Sequence, residues 1–467
     1  MKVTFYGAAR TVTGSKHILT TIGGKKILLD CGLFQSKGTE ELNLHFGFNP
    51  AEINYVILSH AHIDHSGALP MLVKQGFSGP IYCTRATYDL CRIMLADSAK
   101  IQESDIAYIN KKRAAKNLEP REPLYSQDDV EACMKLFRYK EKYTEWYTLD
   151  DELEVSFTDA GHILGSACVN LKIREGHDKV IHLLFSGDVG RPGDLILRDP
   201  EKTFQADYII CESTYGNRLH EPRVNTRENL LKIVTDTCVK RKGKIIIPAF
   251  SLGRTQELVY TLDRMRTEGL LPDIKVYVDS PLSINATGIM RNHPECFNAD
   301  ILEYMKHDTD PFGFNNLMYI QNVEDSIRLN SLDEPCIIIS SSGMMEAGRI
   351  KHHIKNNIGN SKNTILIVGF VPANTLGDRL LKGADEVKIF GKEYQVKAEI
   401  KELQAFSAHA DYEELFDWLR PQNPKKVKRF FLVHGEYDAQ QAFKERLLAH
   451  GFNNIEIPER EDSFDLT

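Results

Sequence analysis

The run His60-Ala61-His62-Ile63-Asp64-His65 places three imidazoles and a carboxylate in one short turn, directly after the apolar, strand-like Tyr55-Val56-Ile57-Leu58. Four donors crowded on one turn cannot complete two coordination shells, so a fold that uses them as ligands must deliver further donors from other strand ends. Neutral imidazole suits zinc, iron or nickel, and carboxylate is the harder ligand that can bridge two cations. The mixture therefore points to transition-metal hydrolysis rather than to calcium or magnesium binding. The competing reading is a histidine-rich surface loop. Only 16 of the 467 residues are histidine, so three within six positions is not an accidental density.

The chain around this cluster reads as β-rich. The N-terminus, Met1 to Gly7, reads as an opening strand. Strands are expected over 15–21 and 26–30, joined by the Gly23-Gly24 turn and ending at Asp30, and a further strand over 54–59 delivers the histidines. A helical segment follows over 66–75, a long helical region over 85–117, and strands over 153–158, 167–173 and 179–186, which together make a sandwich with helices. From about 217 the pattern changes. Continuous apolar strands at 244–248, 275–278, 336–340 and 364–368 alternate with helices at 254–266 and 348–358, as in a parallel sheet covered on both faces. After about 395 the first pattern returns and ends with Arg429-Phe430-Phe431-Leu432-Val433 running into His434. A second domain is thus inserted into the first, with expected divisions at 1–212, 213–395 and 396–467.

A chain of 467 residues suggests two or three domains at roughly 150 residues each. No apolar run approaches the ~18 residues needed to span a membrane, and the N-terminus lacks the apolar stretch of a secretory signal, so a cytoplasmic protein with no membrane partner is expected. The nine cysteines include no C-x-x-C pair and read as small core residues of a reducing compartment. A net charge of -7 argues against a broadly basic nucleic-acid coat, although bound cations would offset site carboxylates that the formal count treats as negative. The basic runs Lys111-Lys112-Arg113 and Lys425 to Arg429 read as solvated surface.

Further donors stand at other strand ends: His162 within Gly161-His162-Ile163-Leu164-Gly165, Asp188 in Ser186-Gly187-Asp188, and His434 in Leu432-Val433-His434-Gly435-Glu436. Each alone reads as an ordinary loop residue, but their shared position at strand ends is not easily accidental. The order Asp30, His60-x-His62-x-Asp64-His65, His162, Asp188, His434 resembles the metallo-β-lactamase superfamily, and the inserted domain narrows the resemblance to its β-CASP branch of RNA and DNA nucleases. Three further motifs of that branch are present: Glu212 in Cys211-Glu212-Ser213-Thr214-Tyr215-Gly216, His409 in Phe406-Ser407-Ala408-His409-Ala410-Asp411, and His434 itself. Pro248 to Glu257 and Ser342-Gly343-Met344 are similar to segments of the bacterial RNA-processing members, and the chain as given resembles their compact form.

The resemblance implies an αββα sandwich with an inserted α/β domain, a parallel sheet flanked by helices. It assigns His60, His62 and His162 to one Zn2+, Asp64, His65 and His434 to a second, and Asp188 to both, with Asp30 orienting a ligand from behind and Mn2+ as a possible substitute metal. A hydroxide bridging the metals would attack phosphorus, and His409, held by Glu212, would protonate the leaving oxygen, giving 5′-phosphate and 3′-hydroxyl ends. The partner implied is single-stranded RNA in a narrow groove closed by the inserted domain, with single-stranded DNA as an alternative. Exonucleolytic and endonucleolytic cutting, monomer and homodimer, are all compatible. The loop before His409 lacks the glycine associated with a 5′-monophosphate pocket in ribonuclease J, which argues against strict dependence on a 5′-phosphate.

Arg254, Ser342, Arg349, His352 and His353 stand at strand-to-helix junctions of the inserted segment. They are candidates for RNA-phosphate contacts, with core or surface roles as the competing reading. Two rival functions use the same metal core or fold. A hydrolase of small esters, lactones or thioesters would have no use for the inserted domain, Glu212 or His409, and a non-catalytic RNA scaffold would be expected to have lost a ligand.

Overall fold

The computed structural model describes residues 1–35, 38–176, 179–220, 225–369, 371, 375–403 and 408–466. The chain divides into two compact units, Met1–Leu219 with Ala408–Thr467, and His220–Ser407.

The first unit is built on two seven-stranded sheets. One runs Ser463–Asp465, Lys2–Phe5, His17–Thr20, Lys26–Leu29, Tyr55–Ile57, Ile81–Thr84, Phe137–Lys140. The other runs Ile455–Glu456, Arg429–Val433, Tyr208–Glu212, Lys179–Phe185, Ala167–Glu175, Leu153–Asp159, Trp146–Thr148. Period-two alternation decides how they stack, since successive side chains of a strand point to opposite faces. Phe431, Val433, Leu183, Phe185 and Ile210 join Val3, Phe5, Leu19, Ile27, Leu29 and Ile57 in one core between the sheets. The intervening Phe430, Leu432, Leu184, Ile209 and Cys211 face the other way. There they meet Leu415 and Leu419 of the helix Tyr412–Leu419, and Phe443 and Leu447 of the helix Tyr437–Ala449. Against the outside of the first sheet lies the helix Arg85–Ala114, beside Ile81–Thr84 and Phe137–Lys140. These are the four layers expected of an αββα sandwich.

Strand direction then positions the site. Lys26–Leu29 and Tyr55–Ile57 are parallel, as are Lys179–Phe185, Tyr208–Glu212 and Arg429–Val433. Leu153–Asp159 shares that direction, because Ala167–Glu175 between it and Lys179–Phe185 is antiparallel to both. The carboxyl ends of these strands therefore lie on one edge of each sheet, and Asp30, the histidine cluster, His162, Asp188, Glu212 and His434 stand at those ends.

The second unit carries a six-stranded parallel sheet in the order Leu317–Tyr319, Lys275–Asp279, Cys336–Ser340, Ile245–Pro248, Thr364–Val368, Glu399–Leu403. Its central strands are buried along their whole length, as the uninterrupted isoleucine runs require of a sheet covered on both faces. The edge strand Glu399–Leu403 differs from the sequence expectation, which put residues from 396 onward in the closing part of the first domain. This strand pairs in register with Thr364–Val368, Ile365 against Ile400, and belongs to the second unit. Its charged residues Glu399, Lys401 and Glu402 hide the apolar pattern that marks the inner strands. All nine cysteines are buried and none is paired. Among the described residues, no helix is long and apolar enough to cross a membrane.

Candidate metal centre

The turn that carries the histidine cluster is shaped by a close backbone approach. A Cβ at Gly32 would stand 1.6 Å from the carbonyl oxygen of Asp64, so only glycine lets the loop after Lys26–Leu29 pass beneath it. Asp30, fully buried, is the anchor under the cluster. Its Oδ1 accepts the Ser59 N–H at 2.8 Å, and its Oδ2 accepts the Ser59 hydroxyl at 2.9 Å and faces His65 Nδ1 at 2.6 Å. With Nδ1 of His65 engaged by Asp30, Nε2 is the ring atom directed into the cluster. It lies 3.2 Å from His434 Nε2 and 3.2 Å from Asp188 Oδ2. Asp64 Oδ2 completes this group at 3.4 Å from His434 Nε2 and 4.0 Å from His65 Nε2.

A second group converges beside it. His60 Nε2 and His162 Nε2 each lie 3.2 Å from His62 Nδ1, and Asp188 Oδ2 is 3.5 Å from His60 and 3.6 Å from His162. His162 is turned by its Nδ1–H, which donates to the Ala408 carbonyl at 3.1 Å, and His60 Nδ1 meets the Ser59 hydroxyl at 3.0 Å. Asp188 thus touches both groups.

Whether cations fit here can be judged from the donors themselves. At a metal–nitrogen distance of about 2.0–2.1 Å, a tetrahedral site separates its donor atoms by about 3.3–3.4 Å, close to the separations just given. Asp188 Oδ1 is buried and has no hydrogen-bond partner, an uncompensated acceptor that a cation would satisfy. Burial holds His62 down to about 4, and His60 and His162 well below the usual imidazole range, so three neutral lone pairs face one point. Burial would also neutralise His65, but Asp188, Asp30 and Asp64 overcome it and keep that ring charged, a sign that the carboxylates call for positive charge at this spot. Asp64, despite burial, is held down to about 2 by His65 and His434. His60, His62, His162 and Asp188 form one potential cation group and Asp64, His65 and His434 another.

Glu212 and His409 adjoin the cluster. Glu212 is fully buried at the end of its strand, with Oε1 accepting the Val189 N–H at 2.6 Å and Oε2 the Thr214 hydroxyl at 2.7 Å. His409 Nδ1 is 3.3 Å from Glu212, and its ring lies 4.6 Å from that of His162. The loop is fixed by the Ala410 N–H, which donates to the Val189 carbonyl at 2.8 Å, and by Asp411, which caps the next helix. Burial opposes a charge on His409, but the Glu212 carboxylate outweighs it and lifts the imidazole to about 9. Phe406 and Ser407, the first residues of this motif, lie outside the described residues.

The remaining candidates belong to the second unit. Arg349 Nη1 pairs with buried Asp279 at 2.6 Å and its Nη2 donates to the Gln321 carbonyl at 2.6 Å, while Arg254 pairs with Glu257. Both guanidinium charges are therefore engaged within the protein. His353 is buried against Asp279 at 2.6 Å. Ser342 is half-buried, and His352 is exposed, its ring tilted against that of Phe390 at 4.6 Å. Ser59 and Thr214, which orient the site, carry no sequence signal beyond their adjacency to His60 and Glu212.

Comparison with known proteins agrees with this geometry. The metallo-β-lactamase superfamily model matches residues 17–216, the β-CASP domain model residues 255–380, and that of a Zn-dependent metallo-hydrolase RNA specificity domain residues 393–458. The chain is 35% identical over 452 residues to Ribonuclease TTHA0252 of Thermus thermophilus, covering 97% of this chain and 95% of that protein. It is 31% identical to Transcription termination factor FttA of Methanococcus maripaludis, covering 93% and 67%. With Cleavage and polyadenylation specificity factor 73 of Drosophila melanogaster it shares 30% identity, covering 94% and 60%. Two converging donor groups at the strand ends of an αββα sandwich, interrupted by a parallel-sheet unit and matched over nearly the whole chain, place this protein in the β-CASP branch of the metallo-β-lactamase superfamily, a branch of metal-dependent nucleases.

Proposed function

We propose that the chain hydrolyses phosphodiester bonds of single-stranded RNA with two zinc ions, for which manganese can substitute. His60, His62 and His162 would hold one ion, Asp64, His65 and His434 the other, and Asp188 both. Bound there, the pair supplies Lewis-acid polarisation of the phosphoryl oxygens and lowers the pKa of an attacking water toward neutrality. The chain's own residues supply the rest. Asp30 and Ser59 hold the imidazoles in the tautomers that leave lone pairs inward. His409, with Nδ1 tied to Glu212, directs Nε2 outward as the proton donor to the leaving 3′-oxygen, so that 3′-hydroxyl and 5′-phosphate ends result.

The observation that carries this reading is the His409–Glu212 pair, 3.3 Å apart beside the donor cluster. A hydrolase of small lactones, thioesters or β-lactams on the same core would have no use for the inserted parallel-sheet unit. A related ribonuclease, a termination factor and a cleavage factor support RNA as the substrate.

The test is incubation of the zinc-loaded protein with single-stranded RNA labelled separately at each end, beside a lactone and a β-lactam. A ladder or released mononucleotides, with turnover lowered by at least ~100-fold in His409→Ala at unchanged metal content, is the expected result. Intact RNA with a hydrolysed small molecule would overturn it.

A further inference from the structure

We infer that Thr214 is a positioning residue that couples the cation ligand His434 to the Glu212–His409 pair through its single hydroxyl, an inference that rests on the two-ion reading above. Thr214 follows the strand that ends in Glu212. Its Oγ1 is 2.7 Å from Glu212 Oε2, 3.1 Å from His434 Nδ1 and 3.1 Å from the His434 carbonyl. A hydroxyl has one proton to give and two lone pairs to offer, whereas an ionised carboxylate can only accept. Glu212 is the nearest acceptor and the only charged one of the three, so it takes the proton. The His434 carbonyl already receives the Ser213 N–H at 3.2 Å.

The lone pairs of Thr214 then face His434 Nδ1, which must carry a proton to meet them. With Nδ1 so engaged, the ring atom left to serve a cation is Nε2, 3.2 Å from His65 Nε2 and 3.4 Å from Asp64 Oδ2. The alternative partner for His434 Nδ1 is Asp188 Oδ1 at 3.5 Å. Engaging it would draw the imidazole toward the carboxylate that must serve both cations. Thr214 therefore keeps His434 Nδ1 occupied and leaves Asp188 Oδ1 available.

The same hydroxyl pins the other half of the site. With Oε1 of Glu212 bound to the Val189 N–H at 2.6 Å and Oε2 to Thr214, the carboxylate plane cannot turn, and that plane sets the direction in which His409 is held. A neighbouring side chain keeps the two strand ends in step, since the Ser213 hydroxyl donates to the Val433 carbonyl at 2.7 Å. The cation ligand and the proton donor thus share one hydroxyl, so the loss of a single oxygen perturbs both functions.

Thr214→Val keeps the shape and removes the hydroxyl, and Thr214→Ser restores it. Zinc affinity is measured by titration against a chromophoric chelator, and kcat and KM on end-labelled single-stranded RNA. In Thr214→Val, one of the two zinc equivalents is expected to weaken by roughly 10–100-fold, the range for loss of a partner behind a metal ligand. Its kcat should fall while KM holds, and Thr214→Ser should recover both affinity and kcat. Wild-type affinity for both equivalents in Thr214→Val, or an equal loss in the valine and serine variants, overturns the coupling. Should the wild-type enzyme leave RNA intact, the ribonuclease reading fails, while the chelator titration still decides the role of Thr214.

Discussion

Replacing Glu212 by glutamine tests the acid–base arrangement with the smallest change of shape. The carboxylate now accepts from Val189 N–H at 2.6 Å, from the Thr214 hydroxyl at 2.7 Å and from His409 at 3.3 Å. A glutamine offers one oxygen. The backbone N–H of Val189 cannot reverse its role, so the oxygen must take that position, and the amide nitrogen meets Thr214, whose hydroxyl can turn to accept. Two short bonds to a charged acceptor become neutral ones at a cost of about 1 kcal/mol each. The larger effect falls on His409, which is lifted against burial from 6.5 to about 9, chiefly by Glu212 with smaller contributions from Asp188 and Asp64, a difference of about 3 kcal/mol. Because the folded value is the higher one, that stabilisation is complete below about pH 6.5 and is lost as pH rises through about 9. Denaturant unfolding of the chelator-treated protein should therefore show a deficit for the variant of about 5 kcal/mol near pH 6, shrinking to about 2 near pH 10. In the metal-loaded enzyme, turnover should fall by ~100-fold or more, with the alkaline limb of the pH–rate profile moved to lower pH and metal content unchanged. A deficit that does not vary with pH, or undiminished turnover, would refute the reasoning.

Three other outcomes follow from particular contacts. In Gly32→Ala the new Cβ would stand 1.6 Å from the Asp64 carbonyl oxygen and 2.0 Å from its carbon, so elemental analysis should find metal reduced in a folded protein; full occupancy would contradict the close approach. Asp188→Ala should lose metal and activity together, as chelation should in the wild type with recovery on adding zinc, and a variant that keeps both ions would exclude a bridging role. Asp263, raised to about 7 by burial, keeps its proton while the unfolded chain has lost it, so stability falls between about pH 4 and 7 and stays low above. Asp263→Asn should flatten that slope and add about 2–4 kcal/mol near pH 8 after allowance for solvent screening, and an unchanged slope would show that another group titrates there.

How much of this could be read from sequence depended on whether a residue type is informative without geometry. The strand ending at Val433 was legible because Phe430 to Val433 are apolar on both faces, as a strand between two cores must be. The inner strands of the second unit were legible for the same reason. Glu399–Leu403 was not, because an edge strand needs only one apolar neighbour and fills its open side with charge. At the site, imidazoles and carboxylates at strand ends announce themselves. Ser59 and Thr214 do not, since hydroxyl residues are common and only their distances to Asp30, Glu212 and His434 give them meaning. The arginines are the converse case. Arg254 and Arg349 had the chemistry for phosphate, but sequence cannot reveal that Glu257 and Asp279 already engage their charges.

The backbone itself helps to assemble the donor cluster. Asp30, Gly187 and His434, each following a strand that ends at the site, adopt left-handed conformations with φ of 57°, 55° and 49°. For Asp30 and His434 that geometry costs roughly 1–2 kcal/mol apiece, because a Cβ crowds the following carbonyl. At Gly187 it is tolerated for want of one, and the added Cβ would also stand 2.6 Å from that of Ser59. The hydrogen bonds that hold these turns are short and reach across the chain: the Ser59 N–H donates to Asp30 at 2.8 Å, and the His434 N–H to the Ala8 carbonyl at 2.7 Å. Strain at two strand ends and glycine at a third therefore turn the chain inward where parallel strands finish on a common edge. Donors from positions as distant as His65 and His434 thereby come within 3.2 Å of each other on that edge.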